Sequence, residues 1–227
     1  MGMPIKLKRN LRELIHEKAR WTEPLSPSDK ELGFRGWHSR GYLPHFDIPG
    51  KLQMITYRLH DAMPADKRHE WAGLLEIKEE REQRIKIEEY LDAGRGECLL
   101  RLSETATIVQ DSLLHFDGVR YRLLAWVVMP NHVHMVVEIW EMPMSVVVKN
   151  WKSFTSKVVN RRLGRVGTLW QSDYFDRYIR DEEHLKKAIR YIENNPVKAG
   201  LVKFPGEWPF GSACFRSDRD GGSPAAR

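Results

Sequence analysis

Two β-rich runs joined by a short turn constrain the fold of this chain more than any other feature. The runs are YRLLAWVV, residues 121–128, and HVHMVVEI, residues 132–139, and the tripeptide MPN at 129–131 lies between them. Proline and asparagine favour tight turns, so we expect the two runs to pair as an antiparallel hairpin. We therefore expect both strands to belong to one antiparallel sheet.

The second run begins with two histidines, His132 and His134, separated by Val133. Side chains two residues apart lie on the same face of a strand, so both imidazoles can bind one ion while Val133 and Met135 face the core. A single histidine here would most simply be a core residue with its hydrogen bonds satisfied. A pair directly after a turn favours a metal site or a phosphate site, and the residues alone leave both open.

The remaining periodicities predict further strands and helices around this hairpin. MITYRL, in the segment that begins near Leu52, and TLWQSDYFDRYIR read as strands. The order of elements is strand, helices, two strands, helix, strand, helix, which predicts an α+β fold with an antiparallel sheet of the split βαβ kind. The predicted helices cover about 65–93 with a possible break, 104–115 with Ser103 as its cap, 145–163, and 181–195, which Pro196 ends.

The helix at 145–163 combines an apolar row with an unusual run of charge. Val147, Trp151, Phe154 and Val158 recur at helical spacing and are its predicted buried face. A surface helix usually mixes charges of both signs, so charge of one sign favours a stripe that faces phosphates over a merely solvated face. The stretch from 149 to 165 contains no acidic residue and six basic ones, Lys149, Lys152, Lys157, Arg161, Arg162 and Arg165.

Residues 1–50 read as an irregular, basic and aromatic extension with a short helical pattern at 11–19. Their segment GFRGWHSRGYLPHFD places Arg35, His38 and Arg40 among aromatic residues such as Trp37. Bases stack on aromatic rings and phosphates pair with cations, so these four side chains are candidate contacts to single-stranded nucleic acid. Packing of the aromatic rings against the domain surface explains the segment equally well. The polar tail, 216–227, is predicted to be disordered.

The last helix carries a tyrosine outside its apolar row. Leu185, Ala188, Ile189 and Ile192 form that row, whereas Tyr191 lies beside it, four residues before Asn195. At this spacing the hydroxyl and the amide can contact the same object. On the evidence of this helix alone, a boundary tyrosine that packs its ring and exposes its hydroxyl is the simpler interpretation.

Composition limits the classes of function. The 227-residue chain has a net charge of +6, which favours a polyanionic partner such as nucleic acid. No apolar run approaches the roughly 20 residues that a membrane-spanning helix needs, and no apolar signal core follows the N-terminus. Cys98 and Cys214, the two cysteines, form no disulfide pattern. We therefore expect a cytoplasmic protein.

A family resemblance joins these features. WVVMPNHVHMVVE, followed by LWQSDYFDRYIRDEEHLKKAIRYIENNPVKAGLV, resembles the single-tyrosine HUH transposases, and among them the REP-associated tyrosine transposases. WHSRGYLPHFD is also typical of that branch. The resemblance covers about 52–215, so we expect one catalytic domain over 51–215. It implies a ferredoxin-like HUH domain with a central antiparallel sheet flanked by helices.

The resemblance also implies roles for individual residues. His132 and His134 match the two metal-binding histidines, and Tyr191 matches the catalytic nucleophile. Asn195 stands where insertion-sequence relatives have a glutamine as third metal ligand. Asparagine offers the same amide oxygen on a shorter side chain. The implied cofactor is a divalent metal, Mg or Mn. The implied substrate is single-stranded or hairpin DNA from palindromic repeats, cut through a 5′-phosphotyrosine by a nucleoid-associated monomer or homodimer.

Three other functions compete with this interpretation. Nucleotidyl hydrolases with a His-x-His-x-His strand have a third histidine where this chain has Val136. Relaxases and replication initiators of the HUH class usually embed their motifs in larger, multi-domain chains. A domesticated protein that binds repeat hairpins without cutting them needs neither His132, His134 nor Tyr191, all of which are present.

Overall fold

The computed structural model describes residues 25–39, 44–62, 82, 86, 89–90 and 93–219. Three regions named above therefore lie outside the described residues. They are the helical pattern at 11–19, most of the predicted helix at 65–93, and residues 220–227 at the end of the predicted tail. Arg40, one of the candidate nucleic-acid contacts, lies outside them as well.

Two antiparallel sheets occur within these residues. A small hairpin pairs strands β1 and β2, and a larger sheet has the strand order β4-β5-β3-β6, antiparallel throughout. This is the order that a split βαβ arrangement produces, so the predicted α+β fold with a central antiparallel sheet is confirmed. The strands are β1 (Gly36–Ser39), β2 (Pro44–Asp47), β3 (Leu52–Arg58), β4 (Tyr121–Val128), β5 (His132–Ile139) and β6 (Phe175–Tyr178).

Helices cover both faces of the larger sheet. No helix within the described residues is both long enough and apolar enough to cross a membrane. The helices are α1 (Pro27–Glu31), α2 (Ser103–Leu114), α3 (Met144–Leu163), α4 (Glu182–Lys198) and α5 (Ser212–Arg219), with 3-10 turns at His60–Ala62, Leu99–Arg101 and Pro205–Glu207.

The sheet separates two apolar clusters, and β5 is buried along its whole length between them. Val133 and Met135 belong to the cluster that α2 and α3 cover. Val136 belongs to the other cluster, where Leu185 and Ile192 of α4 pack on the sheet. Each fully buried aliphatic side chain of this size stabilises the fold by about 1.5–3 kcal/mol. Because side chains alternate along β5, His132 and His134 lie on the face of the sheet that α4 covers.

The predicted buried face of α3 was partly wrong. Trp151 is buried as predicted, but Phe154 is 55% exposed and Val158 is only half-buried. Thr155 and Val159 take the buried positions instead. A threonine is accepted there because its hydroxyl donates to the Trp151 carbonyl at 2.7 Å and accepts from Trp170 Nε1 at 2.9 Å. Hydropathy alone therefore predicted the wrong residues for the part of the buried row that follows Trp151.

Two predicted helix ends were also wrong. Ser103 is the first residue of α2 and does not cap it, since the N-cap is Leu102, which makes no side-chain cap. Pro196 lies inside α4, which continues to Lys198. A proline in the last turn forgoes its own amide hydrogen bond without breaking the helix elsewhere. The chain then reverses at Gly200, whose φ of 69° suits glycine.

Both predicted extensions are partly ordered. Helix α5 runs to Arg219 and so occupies the first residues of the tail predicted to be disordered. At the other end, β1 and β2 form a hairpin that contacts β6. The buried His45 ring anchors it, since its Nδ1 lies 2.5 Å from Asp176 Oδ1 and its Nε2 lies 3.2 Å from Asp173 Oδ1. This hairpin belongs to the domain rather than to an irregular extension.

Candidate active site

His132 and His134 lie at the start of β5, opposite Arg58 and Thr56 of β3. Both side chains are 1% exposed, and their ring centroids are 4.5 Å apart. The Nδ1 atoms face hydrogen-bond partners, Asn131 Oδ1 at 2.7 Å from His132 and Thr56 Oγ1 at 2.6 Å from His134. The two Nε2 atoms are buried and have no hydrogen-bond partner among the residues that the structure describes.

Both rings are held in the neutral form. Burial lowers the pKa of His134 to about 3, and the positive charge of Lys198 adds to the effect. Burial also lowers the pKa of His132 well below its usual value, with further contributions from His134, Arg58 and Lys198. A neutral imidazole has a lone pair with which it can bind a metal, whereas an imidazolium has none.

Helix α4 brings Tyr191 and Asn195 to the same place. The Tyr191 ring lies edge-on to the His134 ring with 5.5 Å between centroids. Asn195 is fully buried, and its Nδ2 donates a hydrogen bond to the Tyr191 hydroxyl at 3.1 Å. Its Oδ1 is buried and, within the described part of the chain, accepts no hydrogen bond. Tyr191 and Asn195, which the i, i+4 spacing paired, therefore contact each other, and Tyr191 also contacts the strand that carries the histidines.

The donor set fits a divalent cation. His132 Nε2, His134 Nε2 and Asn195 Oδ1 are all buried and have no hydrogen-bond partner among the described residues, and they come from two elements in direct contact. No group of three or more His, Cys, Asp or Glu side chains in the described ranges could hold a metal, so a third protein ligand here would be the amide. Imidazole nitrogen suits first-row metals such as Mn, and an amide oxygen suits Mn or Mg.

Comparisons with known proteins match this region. Residues 107–195, which contain all four of these side chains, match the family model described as "Transposase IS200 like". A REP-associated tyrosine transposase of Escherichia coli (strain K12) is 31% identical over 92 residues, 40% of this chain and 53% of that protein. The predicted family resemblance is confirmed.

A second relative and a solved structure extend the comparison. A putative REP-associated tyrosine transposase of Haemophilus influenzae is 26% identical over 106 residues, 40% of this chain and 58% of that protein. The chain thus spans about half the length of the curated transposases it matches. A REP-associated tyrosine transposase solved with a bound REP hairpin has the same fold, with a TM-score of 0.54 and 21% identity over 81% of this chain and 90% of that chain.

The basic residues of the 149–165 stretch lie away from the site that contains His132, His134 and Tyr191, because α3 covers the opposite face of the sheet. They are also not equivalent to one another. Arg162 Nε donates to Glu104 at 2.7 Å, and Arg165 forms an ion pair with Glu97. Lys152 donates to the carbonyl oxygens of Gln171 and Asp173. Acidic and carbonyl partners from outside the acid-free stretch therefore occupy half of the predicted stripe.

Three basic side chains of that stripe remain available to a ligand. Lys149, Lys157 and Arg161 are exposed and make no ion pair with any residue that the structure describes. Lys149 also lines a groove of about 630 Å³ between α3 and residues 167–174, together with hydroxyl groups of Ser153 and Ser156. Ammonium and hydroxyl groups are the side chains that bind phosphate oxygens.

The candidate nucleic-acid contacts on the N-terminal hairpin also differ from one another in how available they are to a ligand. Trp37 is 61% exposed and rests on Phe46 and Tyr178, with ring centroids 4.8 Å and 5.7 Å away. Arg180 lies over the Tyr178 ring at 5.5 Å. Arg35 is exposed, whereas His38 is turned inwards, with Nδ1 3.2 Å from the Gly36 carbonyl and a buried Nε2. His38 is therefore a poor candidate for a nucleic-acid contact.

The sequence interpretation missed the partners that complete these sites. Thr56 and Asn131 hold the histidine rings, and Tyr178 and Arg180 complete the surface around Trp37. The adjacency of Asn131 to His132 was a usable signal, since a turn asparagine can bond to the next side chain. The other three depend on strand register and hairpin docking, which no local pattern reveals.

Proposed function

We propose that this chain cuts and rejoins single-stranded or hairpin DNA through a covalent tyrosine–DNA intermediate. Tyr191 is the nucleophile, and His132, His134 and Asn195 hold a divalent metal beside it. The observation that carries this proposal is that three atoms able to bind a metal, His132 Nε2, His134 Nε2 and Asn195 Oδ1, are buried without a hydrogen-bond partner among the described residues, while the Asn195 amide nitrogen donates to the Tyr191 hydroxyl. Burying a polar atom without a partner costs free energy, and a bound divalent metal would offset that cost at these three atoms.

The chain's own residues have distinct tasks in this reaction. A tyrosine hydroxyl has an ordinary pKa of about 10 and is a weak nucleophile at neutral pH without assistance. Asn195 donates to the Tyr191 oxygen, which orients the hydroxyl and favours the negative charge that develops as its proton leaves. A bound divalent metal would supply charge stabilisation at a non-bridging phosphate oxygen. His132 and His134 offer their Nε2 lone pairs to it.

The covalent step conserves the number of phosphate ester bonds. A bond forms between the Tyr191 oxygen and phosphorus while the bond from phosphorus to the 3′ oxygen breaks. The tyrosine proton leaves and the departing oxygen is protonated, which gives a 5′-phosphotyrosine and a free 3′-hydroxyl. Because the ester is retained, attack by another 3′-hydroxyl reverses the step and joins strands without a nucleoside triphosphate.

Two separate surfaces support DNA as the substrate. Trp37 presents an exposed indole, backed by Phe46 and Tyr178, on which a base can stack. Lys149, Lys157 and Arg161 present free cations on α3, and the chain as a whole carries +6. One curated relative is named a REP-associated tyrosine transposase and another a putative one, and a solved relative holds a REP hairpin. Hairpin DNA from repeats is therefore the substrate that we assign.

The test is a search for the covalent adduct. The full chain is incubated with Mn²⁺ and single-stranded DNA carrying palindromic repeats of its host genome, then resolved on a denaturing gel. We expect a DNA-dependent band that resists denaturation and disappears after protease treatment. Tight binding of the hairpin with no adduct would instead assign the chain to the non-cutting, domesticated class.

A further inference from the structure

Two hydrogen-bond contacts determine the orientation of the side-chain amide of Asn131. Its Nδ2 donates to the Arg95 carbonyl at 3.1 Å, and its Oδ1 lies 2.7 Å from His132 Nδ1. A carbonyl oxygen only accepts hydrogen bonds, so the amide nitrogen must face Arg95. The amide oxygen, which also only accepts, must therefore face His132.

This orientation determines which nitrogen of His132 carries the hydrogen. An acceptor at Nδ1 requires that Nδ1 bear a hydrogen, and a neutral imidazole carries only one. The Nε2 atom then has its lone pair, and Nε2 is the buried atom that has no hydrogen-bond partner in the described part of the chain. His134 differs, because its Nδ1 faces the Thr56 hydroxyl, which can either donate or accept.

The carbonyl that holds Asn131 is itself anchored. Residue Gly96, next to Arg95, has a φ of 86° and approaches Asp61 so closely that a Cβ atom would lie 2.6 Å from the Asp61 carbonyl oxygen. The next amide, Glu97 N, donates to the Asp61 side chain at 2.7 Å. The loop is therefore pinned to the turn after β3, and it presents the Arg95 carbonyl to Asn131 at a fixed position.

We infer that Asn131 is a positioning residue for the metal site, which fixes His132 as the Nδ1–H tautomer and so keeps its Nε2 lone pair directed away from the turn. The inference rests on the proposed function for the identity of the ligand. The tautomer itself is a property of the metal-free protein and can be measured on its own. Partners of this kind, outside the metal ligands, typically change metal affinity by about 10–100-fold.

Nitrogen NMR of the metal-free full chain tests the tautomer. Long-range ¹H–¹⁵N correlation of the imidazole rings in EDTA at neutral pH should show a protonated Nδ1 and an unprotonated Nε2 for His132. In Asn131→Ala we expect a mixture of tautomers or a shift to Nε2–H. Asn131→Asp, which keeps an acceptor at Nδ1, should retain the original tautomer. Thr56→Val, which alters the partner of His134 instead, is the matched control and should leave the His132 tautomer unchanged.

Metal binding is then measured separately by titration with Mn²⁺ alone, followed by electron paramagnetic resonance. We expect Asn131→Ala to bind Mn²⁺ about 10–100-fold more weakly than the unmodified chain and Asn131→Asp to stay close to it. A wild-type His132 that carries its hydrogen on Nε2, or an Asn131→Ala chain with unchanged tautomer, overturns the inference. If Asn131→Ala does not fold, the His132 tautomer in the wild-type spectrum still tests the inference. Absence of Mn²⁺ binding with the expected tautomer contradicts the proposed metal site instead.

Discussion

The Asn195 amide donates a hydrogen bond to the Tyr191 hydroxyl at 3.1 Å while its own oxygen is buried without a partner in the described structure. One side chain therefore contacts the proposed nucleophile and offers a ligand to the proposed metal. Tyr191 and the two histidines can be replaced separately, which tests the proposed nucleophile and the proposed metal site one at a time.

Tyr191→Phe should eliminate the covalent adduct. The change removes the hydroxyl but keeps the ring that packs beside His134, so hairpin binding should persist. Tyr174→Phe and Tyr178→Phe are matched controls that should retain the adduct, since Tyr174 is buried and Tyr178 packs against Trp37. Mass spectrometry of the digested adduct identifies the linked peptide. A DNA-linked peptide containing Tyr174 or Tyr178 would contradict the assignment.

Removal of either histidine should abolish DNA cleavage. His132→Ala and His134→Ala each delete one proposed metal ligand, and circular dichroism should show that the fold is retained. EDTA should have the same effect on the unmodified chain, and added Mn²⁺ should restore activity to that chain alone. Undiminished cleavage in EDTA would show that no metal takes part.

Replacing Lys157 and Arg161 together should weaken binding of single-stranded DNA. Both are exposed without an ionic partner among the described residues, so each can neutralise a phosphate. The log–log dependence of affinity on salt should become shallower by about one to two units, at about 0.7 per lost contact. The double replacement of Arg162 and Arg165, which pair with Glu104 and Glu97, is the control and should change the slope less. A slope for the Lys157 and Arg161 variant that equals the slope of the unmodified chain would mean that this stripe does not bind DNA.

Trp37→Ala should weaken single-stranded DNA binding by about 1–3 kcal/mol, the usual contribution of one stacked base. Trp37→Phe should recover part of that loss because a smaller ring still stacks. Phe204, another exposed aromatic at 67%, provides the control, and Phe204→Ala should leave affinity unchanged. Fluorescence anisotropy with a labelled strand measures all three, and equal losses at both positions would point to nonspecific apolar binding.

The folded chain should lose stability as the pH rises through about 9. Burial lowers the pKa of His45, but the hydrogen bonds and charges of Asp173 and Asp176 outweigh it and raise that pKa from 6.5 to about 9. A raised pKa stabilises the folded state fully below 6.5, and the contribution disappears as His45 loses its proton near 9. Its size is at most about 3 kcal/mol, at 1.36 kcal/mol for each pKa unit.

Urea unfolding between pH 6 and pH 10 measures that loss. His45→Gln keeps a polar side chain but cannot carry the charge, so its stability should vary less over this range. Asp176→Asn removes one of the two carboxylates and should move the midpoint of the loss to lower pH. A His45→Gln curve that is parallel to that of the unmodified chain would assign the pH dependence to other groups.

Local sequence patterns predicted strands β3, β4 and β5 and helices α2, α3 and α4, because period and turn chemistry act over a few residues. The roles of His132, His134, Tyr191 and Asn195 came from the family resemblance and stay predictions. The local patterns failed where residues far away in the sequence determine burial or charge pairing. Thr155 is buried because Trp170 supplies a hydrogen bond, and Arg162 is neutralised by Glu104 from another helix. The β1–β2 hairpin was missed because its docking depends on Asp176, 131 residues after His45.

That separation along the chain also sets an order of events during synthesis. The ribosome completes His45 and strand β3 long before it makes Asp176 and β6, yet β3 lies between β5 and β6 in the finished sheet. Contacts this distant form late and slow the search for the native state. Helix α4 follows β6 directly, so the surface around Trp37 and the proposed nucleophile Tyr191 are assembled at the same late stage. A nascent chain that ends before β6 would therefore lack both the proposed base-stacking surface around Trp37 and the proposed nucleophile.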